Sequence, residues 1–262
     1  PFAGGIWLSA ALPMTAAGVP LILFGAVQIW RDRGRAQHFA TQSELLQRVQ
    51  APGFSAWLAR HRDFLSEPVQ ADAAVVFIDL SGYTGLSESL GPAGTRDVLS
   101  AFHILVDDEV TRCGGVVVNF MGDGAMILFG LPEPAPEDAS RAAECVVSLA
   151  DRTRHWLAEL PREMSSRLGF KIGAHHGTIV ASRLGGAQHP HVAVTGDTVN
   201  VASRLMEVAA SHEAEAAVSD DLFRAAGRNA QPFASGTLSG PIETGIRGRS
   251  GSLSTWLWAA VE

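Results

Sequence analysis

The sequence predicts an α+β domain, a ferredoxin-like (split βαβ) mixed sheet flanked by helices and preceded by a transmembrane helix. Three observations carry this reading. An apolar, β-branched run from Ala73 to Leu80 holds one carboxylate, Asp79, and passes into a small-residue turn, the pattern of a buried strand. A second pair of apolar runs flanks Gly122-Asp123-Gly124, a strong signal for a tight hairpin. The early order then reads strand, helix, strand, strand, helix, strand.

The chain of 262 residues can bury a sizeable core, and its net charge of -7 excludes a general nucleic-acid binder, which needs a basic face. Residues 1–30 contain no charged side chain, enough to cross a bilayer, with Trp7 and Trp30 near the ends and Arg31, Arg33 and Arg35 following. These arginines predict a cell-membrane anchor with the downstream chain cytoplasmic; a signal peptide would carry its charges before the apolar core. Residues 31–70 read as a polar, helix-permissive connecting segment broken at Pro52-Gly53, and residues 71–262 as the folded domain. The chain opens at Pro1 without an initiator methionine, so a longer protein is expected, with a sensor or further spans upstream.

Within the domain, Gly91-Pro92 punctuates and a helix is expected from Thr95 to about Arg112, with Val98, Phe102, Leu105 and Val106 inward. The hairpin around Asp123 follows, and Pro132 to Pro136 breaks the chain before a long helix from about Glu137 to Leu160. Leu168 to His176 and Val192 to Val194 read as strands, and Thr195-Gly196-Asp197 as the cap of a helix with Val199, Ala202, Leu205 and Met206 inward. Ala216 to Val218, residues near Phe233, and Leu253 to Trp258 supply the last strands.

Two carboxylates at adjacent strand tips can hold two divalent cations for chemistry on a nucleoside triphosphate. Mg²⁺ suits hard oxygen donors completed by substrate phosphates, with Mn²⁺ as a substitute. The turn Ser81-Gly82-Tyr83-Thr84 opens a helix and offers backbone donors to phosphates. Asn200 and Arg204, four apart, share one helix face, an amide and a guanidinium suited to a sugar oxygen and a phosphate. Adjacent strand residues point to opposite faces, so His175 and His176 are expected in core or surface roles rather than on one metal ion. The two cysteines, Cys113 and Cys145, have no metal-ligand spacing and read as reduced buried thiols.

Taken together, Phe77 to Thr84, Phe120 to Gly130 and Thr195 to Arg204 resemble the three signatures of class III nucleotidyl cyclases, in order and spacing, over roughly Ala71 to Glu262. The resemblance implies a membrane-anchored, signal-transducing homodimer with its active sites at the subunit interface, converting ATP to 3′,5′-cyclic AMP and pyrophosphate. Asp79 and Asp123 of one chain would hold two Mg²⁺ ions; Asn200 of the other would orient the ribose and Arg204 stabilise the transition state. It also implies a basic residue near the last strands for the terminal phosphates, Arg247 or Arg249. At the two base-reading positions this chain has Asn119 and Ala193, matching neither the adenylyl nor the guanylyl pattern. Its single lysine, Lys171, falls in a core-type strand and offers no replacement. ATP is favoured because neither position supplies an acidic group for the N–H donors of guanine. The alternatives are a guanylate cyclase and a cyclase-fold nucleotide-binding module without turnover. A diguanylate cyclase fits less well, because the hairpin lacks that family's extra acidic residues.

Overall fold

Six successive residues of strand β1 (Val69–Ser81), Ala73 to Ile78, are buried, which explains why it reads as an unbroken apolar run. Both of its faces are covered. Residues 64–65, 67–184, 191–228, 231–246 and 251–261 are described by a computed structural model and belong to one compact unit, Val49–Glu262. Helix α1 (Tyr83–Arg112) follows β1, then the hairpin β2 (Val116–Met121) and β3 (Gly124–Phe129), helix α2 (Asp138–Glu159) and the short α3 (Arg162–Ser165). The second half runs β4 (Gly169–Leu184), β5 (His191–Thr195), α4 (Asp197–Ser211), β6 (Ala216–Ser219), α5 (Asp220–Ala225), β7 (Gly236–Gly245) and β8 (Ser252–Ala260).

The strands form one sheet in the order β2-β3-β1-β4-β6-β8-β7, with β5 paired to β4. The β4–β6 pair is parallel and its neighbours antiparallel, so the sheet is mixed, as expected. A parallel pair needs a crossover, and α4 is that crossover. Strand alternation assigns the two faces. Ala74, Val76, Ile78 and Leu80 pack with α1, α2 and α5 in the larger core. Ala73, Val75 and Phe77 pack with Val192 and Val194 of β5 and with Ala202 of α4. The expected inward residues of α1, Val98, Phe102, Leu105 and Val106, are buried.

Several boundaries differ from the sequence reading. Strand β1 begins at Val69, ahead of the apolar run from Ala73, because Val69 and Gln70 already pair with Ala181 and Val180. The helix expected to open at the Ser81–Thr84 turn and the one expected from Thr95 run on as α1 from Tyr83, and the Gly91-Pro92 signal is the break between them, with Gly91 at φ 67° and ψ 175°. The strand predicted from Leu168 to His176 continues to Leu184, since pairing with β1 and then β5 uses its whole length. Phe233 lies in a 3₁₀ turn, Gln231–Ser235, held where the Trp258 indole N–H donates to the Phe233 carbonyl at 3.1 Å. Gly196 is the α4 N-cap, with no side-chain cap; Thr198 Oγ instead donates to the Thr178 carbonyl at 2.6 Å. The membrane span expected at 1–30 and the connecting segment up to residue 63 lie outside the described residues. Among those described, no helix is long and apolar enough to cross a membrane.

Candidate active site

Register brings the two aspartates together. Asp79 of β1 pairs with Gly124 of β3, so Asp123, in the turn before Gly124, lies beside the end of β1. The Leu80 amide donates to the Asp123 carbonyl at 3.0 Å, fastening hairpin tip to strand tip. A Cβ on Gly124 would meet Asp79 Oδ1 at 3.0 Å, so glycine leaves the carboxylate its space. Burial raises the Asp79 carboxyl above its ordinary value and the Asp123 charge raises it further, while Lys171 opposes both. Burial likewise raises Asp123. Like charges held close and partly out of water are unfavourable until a cation joins them.

The basic side chain facing this pair was not anticipated. Lys171 pairs with Asp79 across the β1–β4 ladder, and its ammonium lies 3.3 Å from Asp79 Oδ2. Cross-strand partners share a face, which is why a residue in a core-type strand reaches the site. Half-buried rather than in the core, Lys171 is the nearby counter-charge.

A β-bulge aims Asn119. Pairing between β2 and β3 shifts between Val117 and Asn119, so Asn119 faces Met126 and Phe120 faces Ala125. Met126 belongs to the same side of the sheet as Phe77, and Ala125 to the α1 side. The extra residue therefore turns both Val118 and Asn119 toward the Asp79 face, where simple alternation would send Asn119 toward α1. Asn119 and Ala193 are both half-buried, Ala193 turned opposite to its buried neighbours Val192 and Val194.

The expected phosphate turn is only partly as read. Gly82 precedes α1 with φ +81°, and a helix opening at Tyr83 presents its first amides where β1 ends. The Tyr83 side chain, however, is buried in the α1 core, its hydroxyl donating to the Thr95 carbonyl at 3.4 Å. Thr84 is exposed and Ser81 half-buried. Arg247 and Arg249 lie outside the described residues.

On α4 the sheet-facing side is marked by Thr198, Val201, Ala202, Leu205, Val208 and Ala209. Asn200 falls on the opposite side and is exposed, so one chain does not bring it to Asp79 and Asp123. Arg204 is half-buried on the flank, and its Nη1 is buried without a hydrogen-bond acceptor. His175 is buried on the Ser219 hydroxyl at 2.8 Å, and His176 is half-buried. Cys145 is buried, while Cys113 is only partly so and lies against it.

The donor set at the site is two carboxylates; among the described residues no group of three or more His, Cys, Asp or Glu surrounds a metal position. Two hard oxygen ligands with raised pKa values fit a divalent cation that completes its shell with water and phosphate oxygens. A family model described as the adenylate and guanylate cyclase catalytic domain matches residues 66–234. The chain belongs to this family.

Cyclase domains of this family bind nucleotide substrates. An uncharacterised protein of Mycobacterium tuberculosis is 38% identical over 156 residues, 59% of this chain and 27% of its own length. A second from the same organism is 38% identical over 140 residues, 53% of this chain and 24% of its own length. The match thus spans about a quarter of these curated relatives. Among solved structures, the guanylyl cyclase Cya2 superposes with TM-score 0.61 at 26% identity, covering 74% of this chain and 94% of that one. The adenylyl cyclase CyaB from P. aeruginosa gives TM-score 0.61 at 20% identity, covering 75% and 97%, a likeness of fold alone.

Proposed function

We propose that this domain converts ATP to 3′,5′-cyclic AMP and pyrophosphate at two composite sites of a homodimer. The observation that carries the proposal is the pairing of Asp79 and Asp123 at one tip of the sheet, with Lys171 as the nearby counter-charge. Divalent cations bound there would activate the ribose 3′ hydroxyl and polarise the α-phosphate. Asp79 and Asp123 would hold the cations, and Lys171, 3.3 Å from Asp79 Oδ2, is placed to meet phosphate oxygens. The backbone of Ser81, Gly82, Tyr83 and Thr84 offers further donors, and Arg247 or Arg249 would take the terminal phosphates. Across the interface, Asn200 orients the ribose and Arg204 meets the charge that grows on the reacting phosphate. Asn200 turned away from its own sheet, and an Arg204 nitrogen lacking an acceptor, support a site completed by a second chain.

Asn119 and Ala193 select the base. ATP is preferred because neither offers an acidic acceptor to guanine, yet Asn119 both donates and accepts, so guanylate cyclase is the second reading. We also propose that residues 1–30 anchor the chain in the cell membrane with the domain in the cytoplasm, supported by the uncharged run and the arginines after it.

The test is the full chain with Mg²⁺ or Mn²⁺, given ATP and GTP separately, with products resolved by chromatography. Cyclic AMP from wild type and none from Asp79→Ala is the expected result. Mixing Asp79→Ala with Arg204→Ala chains should restore part of the activity, since one composite site regains all its parts. No cyclic product from either nucleotide would leave a binding module instead.

A further inference from the structure

One side chain of helix α1 hydrogen-bonds to the tip of the hairpin that carries Asp123. His103 Nε2 lies 2.8 Å from the carbonyl oxygen of Gly122, the residue before Asp123. A carbonyl only accepts, so the ring carries its proton on Nε2. The imidazole also stacks on Phe120, with centroids 4.0 Å apart and planes inclined at 21°. Phe120 is itself buried, two residues before Gly122. Ring position and bond direction are therefore both fixed.

The hairpin tip needs such a restraint. Gly122 takes φ +67°, as the first central residue of a two-residue loop does, and Gly124 follows Asp123. Glycine on both sides leaves the backbone soft. Rotation of the Gly122–Asp123 peptide would change the Asp123 backbone angle and swing its carboxylate. The sheet closes the loop at the Met121–Gly124 pair and holds the far side of Asp123 through its carbonyl and the Leu80 amide, and neither contact touches the Gly122 carbonyl.

We infer that His103 is a positioning residue: by holding the Gly122 carbonyl, it orients Asp123 toward the space it shares with Asp79. This rests on the reading of those aspartates as cation ligands. The bond requires a neutral or protonated ring equally, so it persists across the physiological range.

The test is Mn²⁺ binding to the full chain, read by electron paramagnetic resonance of free Mn²⁺ in the presence of α,β-methylene-ATP. His103→Phe keeps the stack and removes the donor, and is expected to weaken Mn²⁺ binding about 10-fold or more, the usual cost of losing such a support. At saturating Mn²⁺ its turnover should approach wild type. His103→Gln, which keeps a donor, should recover most of the affinity, whereas His103→Met, of the same length without one, should not. Should His103→Phe fail to fold, the Gln and Met pair decides. Equal Mn²⁺ affinity in wild type and the donorless variants overturns the inference alone. A wild type that binds no Mn²⁺, or binds it as well after Asp79→Ala, overturns the reading of the site and this inference with it.

Discussion

The backbone of helix α4 passes close over Gly173 of β4, and adding one methyl there tests the seating. A Cβ on Gly173 would lie 2.2 Å from the Ala202 carbonyl oxygen, 2.6 Å from the Met206 nitrogen and 3.1 Å from the Leu205 carbonyl carbon. All three are backbone atoms, so no rotamer change relieves the overlap. Ordinary contact at about 3.5 Å requires α4 to retreat by about 1 Å. Overpacking of this kind costs 1–3 kcal/mol, and the rigid neighbour puts Gly173→Ala at about 2–3 kcal/mol. For a domain of this size that lowers Tm by about 4–12 °C. Because α4 also carries Asn200 and Arg204, a shift of about 1 Å should cost about 100-fold in turnover of the protein that remains folded. Thermal melts followed by circular dichroism, and cyclisation assayed well below Tm, read the two effects. Gly85→Ala is the stability control: a Cβ there meets nothing within 4 Å, and alanine should gain up to about 1 kcal/mol in the helix. If Gly173→Ala melts and turns over like wild type, α4 does not sit on β4 as described.

The raised Asp79 and Asp123 carboxyls predict cation affinity that falls as pH drops through a window above the ordinary value of 3.8, read by Mn²⁺ titration between pH 4 and 8. The linked stability has the opposite sense. A carboxyl raised by folding contributes most below its unfolded pKa, and that contribution is lost as pH rises through the folded one. Asp123→Asn should therefore raise the Tm of the cation-free protein at neutral pH while abolishing cation binding. Fully buried Glu109 accepts from Arg112 and, at 2.9 Å, from Arg152. Burial alone would raise its pKa, but Arg112, Ser148 and Arg152 hold it at about 2. Its stabilisation is present above the ordinary carboxylate pKa and lost as pH falls toward 2; Glu109→Ala should cost about 2–3 kcal/mol in urea denaturation at pH 7, the low end for a broken pair because both guanidiniums stay half-exposed. Contact with Cys145, the Ser148 hydroxyl and Arg112 lowers the Cys113 thiol to about 7, against the opposing effect of burial, and Cys145 is raised by Cys113 and burial. Iodoacetamide at pH 7 should alkylate Cys113 first, at a rate rising through about pH 7, as mass spectrometry of the peptides would show; prior labelling of Cys145 refutes the assignment.

Much of this molecule is written locally. The apolar run through Ile78, the glycines around Asp123, and the spacing of Val98, Phe102 and Val106 each need only neighbouring residues, because a strand's period and a helix's period repeat within a few positions. Those patterns determined the early element order, the paired aspartates at strand tips, and α4 as the carrier of Asn200 and Arg204. The tertiary structure decided which residues meet across strands. Lys171 lies far from Asp79 in sequence and reaches it only through the β1–β4 register. Asn119 faces the same side only because a bulge spends one extra residue of β2, and alternation alone assigns it to the opposite face. Gly173 and His103 matter for what packs on them, α4 in one case and the Gly122 carbonyl in the other. Register, bulges and close approach arise from pairing between distant segments, whose free energy depends on both partners at once, so no window along the chain contains them.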